Sequence, residues 1–244
     1  MDFLFHKPVL ATHPAIQQPL AMNHEIESAI HRVEETLQTA RHGLHDLLDA
    51  SRSRRMTGLR NLIVFGRSVT FVLQNLRSVV GPEKFDAWYQ PQQDAMRASP
   101  LMRYFVEARN NLEKQGRLNV TTSGHIRHFS TSDISRFGPK PANANAFIIG
   151  DSLGGTGWQV ELPDGSREMY YVELPNTIGE VKQQFFDFPK DRSPELADRP
   201  IEELCTAYIE TLSKLVREAR SHFLPQNEGQ QAPRRGSHLR LVKG

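Results

Sequence analysis

The stretch from Met56 to Val80 limits the fold more than any other part of the chain. Wound as a helix, it is covered over most of its circumference by Leu59, Leu62, Ile63, Phe65, Val69, Phe71, Val72, Leu73, Leu76 and Val79. A helix apolar nearly all round has to be enclosed by other helices, as the central element of a bundle. One polar seam interrupts it, formed by Arg60, Arg67 and Gln74 at seven-residue spacing. A guanidinium inside a bundle needs a partner, because burying it alone is expensive.

The rest of the chain supplies the enclosure. Asn23 is a suitable N-cap, after which Ile26, Ile30, Val33, Leu37, Ala40, Leu44 and Leu47 recur at spacings of four and three, the single stripe of a long amphipathic helix. Arg52, Arg54 and Arg55 mark the break before the central helix. Gly81-Pro82 ends that helix and opens a third, to about Tyr89, with Phe85, Trp88 and Tyr89 on one face. Pro91 predicts a kink or break. Pro100 then starts a fourth helix with Leu101, Phe105, Ala108 and Leu112 as its stripe, closed by Gly116.

From Arg117 the periodicity changes from helical to alternating. Residues 118–121 and 126–129 are short strand candidates, and 146–149, 158–162 and 169–174 are stronger ones. The last two are joined by Pro163-Asp164-Gly165-Ser166, a hairpin signal. A proline-punctuated connection from Pro175 to Arg199 leads to a final amphipathic helix with Ile201, Leu204, Tyr208, Leu212, Leu215 and Ala219 inward. The expected fold is α+β, mostly α: a helical bundle with a small antiparallel β-sheet inserted before the last helix. The expected organisation is an extended N-terminal segment over 1–22 and a single domain over 23–224. Within that domain, 23–116 is the bundle, 117–175 the β insertion and 200–224 the last bundle helix. A disordered basic tail is expected over 225–244.

Composition narrows the classes. The 244 residues are 38% hydrophobic and 24% charged, with net charge +2, as in an ordinary globular protein. No apolar run reaches the roughly 20 residues that cross a bilayer, so no membrane association is expected. The first eight residues lack a basic segment followed by a long apolar one, so no secretory signal is expected and a cytoplasmic location is. Cys205 is the only cysteine, which excludes an internal disulfide and a multi-cysteine metal site. His42 and His45, three positions apart on one helix face, could share a metal, but no further ligand stands at motif spacing, and neither a metal nor a cofactor is implied.

Gly150-Asp151-Ser152-Leu153 is the tetrapeptide of a class of serine esterases. The partners that such a serine needs do not follow: there is no Gly-x-Asn-Asp block and no Asp-x-x-His downstream, and His222 and His238 lack an aspartate three positions earlier. Gly154, Gly155 and Gly157 suit a tight turn between two strands, with Asp151 and Ser152 bonding backbone amides in it. A serine hydrolase at Ser152 is the remotest of three functional expectations.

The segment Arg103-Tyr104-Phe105-Val106-Glu107-Ala108-Arg109-Asn110-Asn111-Leu112-Glu113-Lys114-Gln115-Gly116, late in a four-helix pattern, resembles the HEPN superfamily of helical-bundle proteins. In those proteins an arginine and a polar residue are followed four to six residues later by a histidine, and two such helices meet in a dimer as a metal-independent ribonuclease. Arg109-Asn110 matches the first half. The histidine positions hold Lys114, Gln115 and Gly116. The resemblance implies a degenerate member that binds a protein or RNA partner as a homodimer, in a bacterial defence or toxin-antitoxin setting. The alternative it implies is a ribonuclease with Arg109, Asn110 and Lys114 as catalytic residues, or with His125 or His128 recruited. An ordinary ion pair of Arg109 with Glu113 is the competing structural explanation. For RNA, the expected electrostatic footprint is Arg52, Arg54 and Arg55 with Arg234 and Arg235 of the tail.

Overall fold

The computed structural model describes residues 14–189 and 193–224. Residues 1–13 and the basic tail with Arg234 and Arg235 lie outside the described residues. Helix α1 (Pro14–Leu48) and helix α2 (Arg55–Leu73) form a hairpin that is the most intimate pair in the molecule. Two glycines permit it. A Cβ on Gly58 would stand 2.6 Å from the Gly43 carbonyl oxygen and 2.8 Å from the Leu47 amide nitrogen, so any side chain there would push the two backbones apart. Helices α3 (Leu76–Val80), α4 (Pro82–Ala98) and α5 (Pro100–Gln115) follow. Helix α7 (Ile201–Phe223) returns to pack on α1, α2 and α5, after the single turn α6 (Pro194–Ala197).

Helix α7 shows why the chain closes this way. Its expected stripe of Ile201, Leu204, Tyr208, Leu212, Leu215 and Ala219 is buried throughout, at roughly 1.5–3 kcal/mol for each large aliphatic side chain. Truncation of the fully enclosed Leu212 to alanine would remove about 2–5 kcal/mol.

The β residues form two sheets rather than one. Strand β1 (Val120–Ile126) pairs antiparallel with β5 (Gly179–Phe185), and β2 (Ala144–Ile149), β3 (Thr156–Glu161) and β4 (Arg167–Val172) form a three-stranded antiparallel meander. The architecture is α+β and mostly α, with the strands between α5 and the last helix. Phe185 and Phe188 join the main core against Tyr104. The Tyr104 hydroxyl donates to Asp187 Oδ1 at 2.8 Å, and burial pushes that phenol's pKa up.

One strand, Val120–Ile126, replaces the two short candidates at 118–121 and 126–129, and four further differences from the sequence expectation each have a local reason. Helix α1 begins at Pro14 rather than Asn23; a proline has no N–H to leave unsatisfied in a first turn. The expected helix from Met56 to Val80 is divided where Gln74 and Asn75 donate to the carbonyls three residues back, tightening the turn before α3. Pro91 does not break α4; it is exposed, so water can reach the carbonyl that its missing N–H leaves free. Strand β5 lies in the proline-punctuated connection from Pro175 to Arg199, where no strand was expected. Its inward positions are Val181, Gln183 and Phe185, and the glutamine spoils the apolar alternation.

Candidate functional site

The Gly150–Gly155 loop is a turn with every part accounted for. Asp151 Oδ1 accepts from the amides of Leu153 (3.0 Å) and Gly155 (2.8 Å), and its Oδ2 accepts from Tyr171 Oη (2.6 Å). Burial first, and the Asp151 carboxylate second, push the Tyr171 phenol up. Gly154 has φ +73°, and a Cβ there would meet Gln183 Cγ at 2.6 Å. Ser152 is exposed, and among the described residues its hydroxyl has no hydrogen-bond partner that could act as a base. The loop is a structural junction.

Two of the five arginines expected to face RNA belong to that junction. Arg55 is 2% exposed. Its Nη1 donates to Leu47 O at 2.6 Å, its Nε to Gln183 Oε1 at 2.6 Å, and its Nη2 to Glu202. One guanidinium therefore ties the end of α1, the middle of β5 and the first turn of α7. Its place in the footprint is corrected: a side chain enclosed by three acceptors cannot reach a phosphate. Arg52, at φ +55°, donates to Leu153 O at 2.7 Å and sits over the Tyr171 ring. Burial, and then the positive charge of Arg55, hold its guanidinium below the usual range. Arg54 reaches outward and pairs with Asp46 at 2.9 Å.

The expected catalytic set lies together on α5 but without a histidine. Arg109 pairs with Glu113 at 2.8 Å, as the structural explanation requires, and donates at 3.4 Å to Asn110 Oδ1. Lys114 is exposed and free of side-chain partners among the described residues. No hydrogen bond, ion pair or ring contact among the described residues joins Arg109 to a histidine. His125 is on β1 and His128 just beyond it, both exposed. No group of three or more His, Cys, Asp or Glu among the described residues is arranged to hold a metal.

The polar seam of α2 leads to the site that does stand out. Arg60 caps the end of α5 through Gly116 O at 3.2 Å, and Gln74 bonds Thr70 O at 3.0 Å. Arg67, between them, has no carboxylate partner among the described residues. It bonds Thr70 Oγ1 and lies 4.2 Å from the centre of the Phe71 ring; Arg109 approaches the same ring at 5.8 Å. Phe71 is 46% exposed. Beside this cluster a cleft of about 330 Å³ opens between α2, α4, α5 and α7. Arg67, Arg97 and Arg103 bring positive charge to it, against Glu107 as the one acid in its lining; Tyr89, Met96, Met102 and Tyr208 supply apolar surface. Arg103, like Arg67, has no anionic partner among the described residues, whereas Arg97 pairs with Asp94 at 3.3 Å.

Sequence reasoning found Arg67 as a seam residue and Tyr89 and Tyr208 as core-face aromatics, but did not join them. The lining comes from four helices, and their meeting is a property of the packing. The visible signal was a repeated polar position on an otherwise apolar helix.

Among the described residues, no helix is long and apolar enough to cross a membrane. Residues 28–131, somewhat under half of the chain, match the family described as bacteriophage lambda protein ea47. Comparison with curated proteins and with solved structures gave no match. The matched region runs from α1 through β1 and contains every cleft residue except Tyr208. It also contains Arg109 and Asn110, on which the HEPN resemblance rested. That resemblance is corrected: the family found over this stretch is the lambda Ea47 one, and the helical half of the chain is similar to it.

Proposed function

We propose that this protein binds single-stranded RNA without cutting it, through the surface formed by Arg67, Phe71, Arg103 and Arg109. The observation that carries the reading is the exposed Phe71 ring flanked by two guanidinium groups, one of them without a carboxylate partner among the described residues. Aromatic faces that stack on bases, interleaved with arginines that meet phosphates, are the means by which proteins hold single strands. The pairing of Arg109 with Glu113 favours binding over catalysis, since the neighbouring carboxylate is engaged by the guanidinium and no histidine among the described residues contacts Arg109.

Fluorescence anisotropy with a labelled single-stranded RNA tests this. Affinity is expected to fall as salt rises from about 50 to 200 mM, and Arg67→Ala to flatten that dependence. Phe71→Ala is expected to weaken binding by roughly 1–3 kcal/mol per stacked base. Absence of binding at low salt would overturn the reading in favour of a protein partner. RNA cleaved in chelator by the wild type but not by Arg109→Ala would overturn its non-catalytic part.

The reading extends to a homodimer. Strand β4 is an outer strand of its sheet and carries Tyr170, 58% exposed, which supports self-pairing; sedimentation equilibrium checks it. It also extends to a cytoplasmic location, in keeping with a single buried thiol at Cys205.

A further inference from the structure

The cleft contains two phenols that the protein itself leaves unused. Tyr89 and Tyr208 are 7% and 2% exposed and both line it, yet among the described residues neither hydroxyl has a hydrogen-bond partner. Neither hydroxyl is among the atoms closed off from solvent, so each is open to an acceptor from outside the protein. Tyr208 is also held rigidly. Its ring stacks on Phe105 at 4.0 Å, and it lies over Gly66, where a Cβ would stand 2.5 Å from its Cε1 and 3.1 Å from its hydroxyl. Arg67 acts on both phenols. Burial raises each of them, and the positive charge of Arg67 pulls each back down.

Two O–H donors and one guanidinium therefore meet in one cavity, and all three seek acceptors. Thr70 takes one N–H of Arg67, and the rest of that fork is free of carboxylates among the described residues. A ligand that completes this set has to bring several acceptor oxygens and negative charge. The volume, about 330 Å³, lies at the small end of the roughly 300–1,000 Å³ range of small-molecule sites. It suits one nucleotide-sized group.

Resting on the RNA reading above, we infer that the cleft is a receptor for a phosphate monoester. The phosphate meets Arg67, Tyr89 and Tyr208, Arg97 and Arg103 stand at the rim, and Met96, Met102 and Val106 face the organic part. The same chemistry comes from two sources, the 5′-phosphate end of an RNA strand or a free nucleoside monophosphate.

The test uses the full chain and three probes: a short single-stranded RNA bearing a 5′-phosphate, the same RNA with a 5′-hydroxyl, and adenosine 5′-monophosphate, followed by anisotropy and calorimetry. The expected result is about tenfold tighter binding of the phosphorylated strand, a preference that Tyr89→Phe and Tyr208→Phe each reduce severalfold. Neither variant should lower the Tm by more than about 2 °C, because neither hydroxyl has a protein partner to lose. Preference for the phosphorylated strand without binding of the monophosphate supports the strand end as source. Monophosphate binding without that preference supports the free nucleotide.

Equal affinity for both strands with no monophosphate binding overturns the phosphate receptor while the RNA reading stands. Binding of the monophosphate alone overturns the RNA reading and leaves the receptor. Phosphate-dependent binding that survives Tyr89→Phe, Tyr208→Phe and Arg67→Ala together overturns this site.

Discussion

Arg55 and Arg67 lie on the same helix, a little over three turns apart, and their surroundings have opposite uses for the same group. Arg55 finds an acceptor for each face of its fork: a carbonyl on α1, an amide oxygen on β5 and a carboxylate on α7. Arg67 finds a hydroxyl and an aromatic ring. The first guanidinium is fully satisfied by the protein and holds three elements in register; the second retains donors facing a cleft. Partner supply, more than burial or charge, separates an arginine that builds the fold from one that can meet a ligand.

The strongest way to break this comparison is Arg55→Ala. It leaves Glu202 uncompensated near the core and is expected to cost about 3–5 kcal/mol, lowering the Tm by on the order of 10 °C in thermal melts. Arg55→Lys should recover little, since an ammonium cannot span three acceptors in a plane. Gly58→Ala, one turn along, tests the same end: its Cβ meets backbone atoms that cannot move aside, and a loss of roughly 1–3 kcal/mol is expected in urea titrations. Arg67→Ala should behave oppositely, changing stability by less than about 1 kcal/mol while weakening RNA binding about tenfold. A large stability loss there would erase the distinction.

Alkaline pH gives a smaller effect at both ends. The Tyr104 and Tyr208 phenols are raised by burial, so they stay protonated in the fold while the unfolded chain ionises from about pH 10. The unfolded state then binds fewer protons, and stability is full below that pH and falls above it. Urea midpoints at pH 8 and pH 11 should show the drop, and Tyr208→Phe should lessen it. Ser152→Ala is expected to change stability by no more than about 0.5 kcal/mol, and wild-type protein should remain unlabelled by a fluorophosphonate probe.

Much of the helical plan is legible because it is written locally. The stripes on α1, α5 and α7 are periodic, and Ser99, Pro100 and Gly116 bracket α5 as caps should, with Gly116 at φ +66°. What is not legible depends on distant partners. Arg52, Arg54 and Arg55 look alike in sequence, and only the arrival of Gln183 and Glu202, more than a hundred residues later, makes one of them interior. Gln183 hides β5 for the same reason: it is polar at an inward position because Arg55 is there to meet it. The cleft is harder still, because Tyr89, Arg103 and Tyr208 each read as ordinary helix positions until α2, α4, α5 and α7 are packed together. The expected ribonuclease motif came from a short local pattern around Arg109, and a local pattern carries no information about whether a base stands opposite.

The pairing of β1 with β5 has one more consequence. Their ladder runs from Val120 opposite Phe185 to Ile126 opposite Gly179, and Arg127 N donates to Ile178 O at 2.8 Å, so the chain leaves and returns at nearly one point. Everything between, including the three-stranded meander, leaves from that stem and is held a second time where Arg52 and Gln183 donate to Leu153 O and Ser152 O. Replacing residues 128–177 with a tight hairpin turn would leave the bundle connected along the same route, but would strip Arg52 and Gln183 of the carbonyls they meet in the Gly150–Gly155 loop.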